Sequence, residues 1–412
     1  MERLFTPIPG NQRIQTLDML RGLAIFGILM VNMPLMNAPL VTILSDVKLW
    51  TDLPNQLTTG FIKLFFESKF YVLFSLLFGY GFWLFLNKTM PEGKTVIPVY
   101  RRRVFFLLLF GIAHMTLLWP GDILIFYALF GFLLLLFKKT PDRSLVKWAL
   151  GFILVPITLN AIMVFFVFLA GFSPEAKSAM EAGFAENTQR LSAVVTKALE
   201  VYPSGSFSDI VKMRLTEYGM LLPGIVFFYP NVLAMFLLGQ YAARKGYLNN
   251  PENHLPFFRQ VFVRGLLIGL PLNIIYTTIY SMGQMNQPSI YTLIATICSG
   301  FGGPALTMAY VSGIVLLISK DHLKSFSAKL APVGRMALTN YLMHSIIASV
   351  LYLSYGFALY GKVNIWQGIL ITIAIFAVQI PLSNLWLKHF RFGPFEWLWR
   401  SLTYLQWQPM RK

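Results

Sequence analysis

Trp148–Phe172 reads WALGFILVPITLNAIMVFFVFLAGF, twenty-five residues without one charge. A hydrocarbon core about 30 Å thick takes about 20 helical residues to cross. Inside it, only a helix or a closed barrel satisfies its own backbone hydrogen bonds. Working outward, comparable apolar segments recur at roughly 19–36, 69–87, 104–119, 122–137, 219–243, 261–282, 291–319, 336–358 and 365–387. The sequence therefore predicts an all-α polytopic membrane protein of about ten transmembrane helices, forming a single integral membrane domain over 1–412. Composition agrees. Of 412 residues 56% are hydrophobic and only 12% charged, against about 25% charged in a soluble domain. Mean hydropathy is +0.62.

Two polar stretches punctuate this pattern. Residues 173–218, rich in Ala, Glu, Lys and Ser, read as an external polar helical insert. Residues 388–412 read as a cytoplasmic amphipathic tail. In the tail, Trp397 and Trp399 suit headgroup level, and Glu396 and Arg400 are spaced to pair at i,i+4.

The net charge of +17 invites a nucleic-acid reading. Its distribution argues otherwise. With the N-terminus placed in the cytoplasm, 25 of the 34 Lys and Arg fall in cytoplasmic segments. That is the positive-inside bias, and it predicts both termini in the cytoplasm of a multi-pass bacterial inner-membrane protein, with lipids and no nucleic acid as partners. The single cysteine, Cys298, excludes an intrachain disulfide and any multi-cysteine metal site. The first apolar run carries Asp18 and Arg21 and no small-residue cleavage site, unlike a secretory signal.

Ionisable residues inside spans are costly, so each is a candidate for function. In the first span Thr16 reads as a cap, and Asp18, Arg21 and Asn32 share one helical face. They make either a capped helix with Arg21 reaching headgroups, or a polar stripe that meets an anionic ligand. His114 lies eleven residues past Arg103, about 16 Å along a helix. Asp122 follows the Trp119-Pro-Gly turn, which predicts a pit with Asp122 on its wall and His114 at its floor. Straight antiparallel helices would set His114 opposite residue 126, so spacing alone implies no direct contact. If the pair couples, the carboxylate orients the ring as a general base; otherwise Asp122 caps and His114 packs.

In the ninth span Asn340 and His344 share a face, suiting interhelical hydrogen bonds or a ligand. Cys298-Ser-Gly-Phe-Gly-Gly-Pro304 predicts a kink or a break in the eighth. Ser75, Gly79 and Gly81 suit close helix packing. Arg101, Arg102 and Arg103 suit lipid or donor phosphates. No metal-ligand spacing, phosphate loop or nucleophile elbow is present.

Several of these pieces carry a resemblance. Thr16-Leu-Asp-Met-Leu-Arg-Gly22, Leu73-Phe-Ser-Leu-Leu-Phe-Gly79, Gly111-Ile-Ala-His114, Gly121-Asp-Ile-Leu124, Val333-Gly-Arg-Met-Ala-Leu-Thr-Asn-Tyr-Leu342 and Gly393-Pro-Phe-Glu-Trp-Leu-Trp-Arg400 run through the chain in order. Together they resemble the YeiB-like bacterial membrane proteins, a family defined by a domain of unknown function. More distantly, the Asp-x-x-Arg-Gly start of the first span resembles transmembrane acyltransferases, which move an acyl group from cytoplasmic acyl-CoA to an acceptor across the membrane. In the acyltransferase-3 type a histidine ends that span, where this chain has Asn32, so the base would be His114.

The expectation is membrane-embedded acyl transfer. Acyl-CoA would be co-substrate, with no bound cofactor or metal, and Arg21 and Arg101–Arg103 would answer the donor's phosphates. His114 and Asp122 would be catalytic. Asp18, Arg21, Asn32, Asn340 and His344 would contact a small-molecule, glycan or lipid acceptor. The alternatives are a transporter or exporter using the same cavity, and a scaffold or lipid-binding role.

Overall fold

The structure is a computed structural model that describes residues 14–45, 47–87, 95–283, 285 and 287–412. Residues 1–13 and 88–94 lie outside the described residues.

The described chain is helical, with one isolated bridge between Phe390 and Arg411 and no strand. Its helices are α1 (Gln15–Met36), α2 (Leu53–Phe65), α3 (Phe70–Leu86), α4 (Ile97–Leu117), α5 (Leu124–Leu133), α6 (Asp142–Ala170), α7 (Pro174–Ser204) and α8 (Phe207–Leu221). They continue as α9 (Ile225–Phe228), α10 (Pro230–Arg244), α11 (Leu255–Ser281), α12 (Ile290–Ser319), α13 (Lys324–Arg335), α14 (Ala337–Tyr352), α15 (Ile365–His389) and α16 (Pro394–Tyr404). Among the described residues, six stretches are long and apolar enough to cross a membrane: α1, the α2–α3 run, α6, the Pro251–Ser281 run, α12 and α15. In α6, Phe166 and Phe168 are 63% and 62% exposed. A helix of that composition facing outward is stable only against lipid.

Packing at the centre rests on small residues. A Cβ on Gly79 of α3 would sit 1.9 Å from the Phe236 carbonyl oxygen of α10, and one on Gly239 of α10 would sit 1.9 Å from that of Leu76. The two backbones thus touch through a reciprocal glycine pair, as in membrane helix pairs generally. Stacked rings of Phe78 and Phe236, with centroids 4.6 Å apart, seal the contact.

Four local expectations change. Helix α1 begins at Gln15 with Ile14 at its cap position, so Thr16 lies within the first turn and caps nothing. Helix α12 runs unbroken through Pro304, which excludes the break and leaves the kink. Its glycines serve close approach: a Cβ on Gly303 would meet the Ser68 carbonyl oxygen at 2.7 Å. The interruption lies instead between α2 and α3. There Ser68 takes the left-handed conformation (φ 65°), and Lys69 is fully buried with its Nζ donating to the Lys63 carbonyl at 2.7 Å. Finally, Glu396 does not pair with Arg400. It is buried and accepts from the Thr339 amide (3.0 Å) and hydroxyl (2.5 Å), clamping α16 onto α14.

Candidate active site

The chemistry gathers where α4, the turn after it and α14 meet. His114 sits in the last turn of α4, and its carbonyl accepts both the Leu118 and Trp119 amides. The chain then reverses, and Asp122 stands two residues before α5. One carboxylate oxygen of Asp122 accepts the Ile125 amide at 2.7 Å, satisfying a free N–H at the helix start. The other lies 2.8 Å from His114 Nδ1. Contact is therefore direct, against the expectation from straight antiparallel helices. The physical reason is that Asp122 precedes α5 and is carried across the turn. Gly111, one turn before His114, makes room, since a Cβ there would meet the Ile125 amide nitrogen at 2.6 Å and an Asp122 carboxylate oxygen at 3.0 Å.

The far side of the imidazole holds a residue that sequence reasoning missed. His114 Nε2 lies 2.8 Å from the Ser345 hydroxyl on α14. A carboxylate accepts only, so the Nδ1 proton points at Asp122. That leaves the Nε2 lone pair to accept from the serine. The Tyr341 ring packs against the imidazole, with centroids 5.0 Å apart. All three members of the chain are buried: Asp122 is 2% exposed, and His114 and Ser345 are 1%. Hydroxyl, imidazole and carboxylate in this order form the arrangement that raises a hydroxyl's nucleophilicity, whatever fold carries it.

Ser345, and not His114, borders open space. It lines a narrow cleft with Met36, Leu118, Trp119, Tyr202, Arg214 and Glu217. The space available to water centres is about 20 Å³, enough for a water molecule or two. The anticipated pit is thus a slot whose floor is Ser345, with the imidazole one hydrogen bond behind it. Tyr202, Arg214 and Glu217 come from α7 and α8, within the 173–218 insert. Glu217 is buried, accepts the Val41 amide at 3.3 Å and takes a hydrogen bond from the Tyr202 hydroxyl. Burial pushes its carboxyl up to about 7, against the opposing hydrogen bonds from Tyr202 and the backbone. Nothing in the polar insert's composition separates Arg214 and Glu217 from its solvent-facing charges.

The remaining candidates divide. Arg21 donates to Asp18 at 3.2 Å, and Arg21 Nη2 comes within 3.1 Å of where a Cβ on Gly81 would sit. Asn32 of the same helix is half-buried and makes no side-chain hydrogen bond among the described residues. The three arginines of α4 do not converge. Arg103 stacks on Trp399 of α16, its guanidinium carbon 3.7 Å from the ring centroid, Arg101 is exposed and Arg102 half-buried. Asn340 donates to Ser383 at 3.2 Å, and His344 pairs with Gln379 at 2.9 Å. Both therefore bind α15, and neither lines the Ser345 slot.

The chain is 37% identical to the uncharacterized protein YxaH of Bacillus subtilis (strain 168), over 98% of each chain. Residues 242–406 match the family described as "Protein of unknown function (DUF418)". The chain belongs to the YeiB-like family. Within this YeiB-like family it is 28% identical to the uncharacterized protein YeiB of Escherichia coli (strain K12), covering 95% of this chain and 96% of that one. An uncharacterized 39.9 kDa protein in the amylase 3′ region of Bacillus acidopullulyticus is 29% identical over 97% of this chain. No solved structure matches the chain. In this YeiB-like chain the family-model match includes Ser345 and excludes His114 and Asp122, so the triad spans that boundary.

Proposed function

We propose that this protein is a membrane-embedded acyltransferase that carries an acyl group from a cytoplasmic donor to an extracytoplasmic acceptor. In this reading the chain crosses the inner membrane ten times with both termini in the cytoplasm, and the insert roofs the outer side. The observation that carries it is the Ser345–His114–Asp122 chain at the base of a cleft. Supporting it, the Arg21 and Arg103 end of the bundle lies about 16 Å along α4 from His114, on the side assigned to a donor such as acyl-CoA.

The reaction runs in two steps. The Ser345 oxygen attacks the thioester carbon as its proton passes to His114 Nε2. The carbon–sulfur bond breaks, and the proton leaves with the thiolate. An acceptor hydroxyl then attacks the seryl ester, with its proton moving through His114 to the departing serine oxygen. Asp122 holds the imidazole in the required tautomer and stabilises its protonated form.

The test is purified protein incubated with radiolabelled acetyl-CoA. We expect label on the wild-type chain that is lost in Ser345→Ala and His114→Ala variants. Equal labelling of all three proteins, or none of the wild type, refutes the proposal.

One observation favours a transporter as the second reading. The interruption between α2 and α3 buries Lys69 beside Lys63 and Glu67, and Glu67 accepts from the Tyr276 hydroxyl at 2.7 Å. Broken helices with buried charge line the ion sites of transporters. Proton flux into proteoliposomes that persists in Ser345→Ala and stops in Lys69→Met would favour it.

A further inference from the structure

The roof of the cleft carries a charge that the chemistry above does not use. Arg214 of α8 is 1% exposed. Its guanidinium donates to the Thr116 carbonyl at 3.2 Å and to the Tyr355 hydroxyl at 3.4 Å. Both acceptors are neutral and both distances are long for charged donors, which normally close to about 2.7–2.9 Å on an ionised partner. Among the described residues, no carboxylate oxygen comes within 4.0 Å of Arg214. The nearest candidate in sequence, Glu217 one turn on, is already engaged with Val41 and Tyr202. Arg214 is near enough to lower the Glu217 carboxyl electrostatically, but burial outweighs this and holds it up to about 7, and the two do not close into an ion pair.

A buried guanidinium cannot neutralise itself and is strongly disfavoured without an anion. It lines the same cleft as Ser345. Thr116, which anchors it, lies two residues past His114 on the same helix end. The planar fork of arginine matches the paired oxygens of a carboxylate or phosphate.

We infer that Arg214 is an anion-recognition residue, and that the acceptor carries a carboxylate or phosphate that docks on Arg214 while its hydroxyl faces Ser345. The inference rests on the acyl-transfer reading for the role of Ser345, but not for the binding itself. It makes the insert a specificity element: neutral hydroxyl compounds, such as unmodified sugars, are poor acceptors. The anion displaces the water for which the cleft has room.

Thermal unfolding of the detergent-purified full chain tests this. Sodium phosphate, sodium acetate and glycerol are titrated at ionic strength matched with sodium chloride. For the wild type we expect a saturable rise in Tm of about 1–2 °C at tenfold over half-saturation with at least one of the two anions, and none with glycerol. Whether phosphate or acetate is preferred separates the two anion classes. Arg214→Gln loses the rise, Arg190→Gln, at an exposed arginine of α7, keeps it, and Arg214→Lys keeps it with at least tenfold weaker half-saturation. The inference is overturned by no saturable rise in the wild type, by a rise that survives in Arg214→Gln, or, should that variant not fold, by unchanged half-saturation in Arg214→Lys. His114→Ala should bind the anion as the wild type does. Anion binding without acyl transfer therefore refutes the enzymatic reading alone, and acyl transfer without anion binding refutes this inference alone.

Discussion

Asp122→Asn tests the site most sharply, because it keeps the shape and removes the carboxylate. In the wild type the two oxygens of Asp122 serve two donors, the Ile125 amide at 2.7 Å and His114 Nδ1 at 2.8 Å. An asparagine has one oxygen. With that oxygen on the Ile125 amide, the NH2 group faces Nδ1, which must then accept. The ring proton moves to Nε2, where it meets the Ser345 hydroxyl as a donor. A protonated Nε2 takes no proton from serine, so the base is lost while the packing is kept. The corresponding change in soluble serine hydrolases lowers kcat about 10⁴-fold, and we expect about 10³–10⁴ here. Stability falls by only about 1–2 kcal/mol, because a neutral hydrogen bond replaces a charge-assisted one. Two assays follow: the rate at which a fluorophosphonate labels Ser345, and the ¹⁵N shifts of the His114 ring in selectively labelled protein. Labelling within tenfold of the wild type, or an Nδ1–H tautomer that survives the substitution, would defeat the reasoning.

Three other outcomes are expected. Gly239→Ala places a Cβ 1.9 Å from the Leu76 carbonyl oxygen, so α10 and α3 must separate; we expect a loss of at least about 1–3 kcal/mol, read as a fall in Tm. The carboxyl of Glu217, held up to about 7 against an ordinary 4.5, binds a proton more tightly folded than unfolded; its penalty on the folded cap is absent below about pH 4.5, grows as pH rises and is complete above 7. Protection of residues 200–217 in hydrogen exchange should therefore fall between pH 5 and 8 after correction for intrinsic exchange, and Glu217→Gln should remove that trend. Thr339→Val strips the hydroxyl from the buried Glu396 carboxylate, at about 1–3 kcal/mol; faster proteolysis after residue 390 would report the undocked tail, and wild-type protease resistance would contradict the clamp.

Sequence alone carried the class of this protein. Runs such as Trp148–Phe172 admit no other solvent than lipid, and that follows from composition and length without any partner helix. It also marked His114, Asp122 and Arg21, because a titratable group in an apolar run is conspicuous by its cost. Sequence could not join His114 to Asp122, since their contact depends on a six-residue turn that departs from straight-helix geometry and on the space left by Gly111. Nor could it find Ser345, an ordinary small polar residue 231 positions from His114, or distinguish buried Arg214 from the other cations of a polar insert. Those assignments exist only where separate helices converge, because burial and hydrogen-bond partnership are properties of the assembled neighbourhood. The same residues that read as ordinary along the chain become, once α4, α8 and α14 meet, the buried hydroxyl and the buried charge that line the cleft.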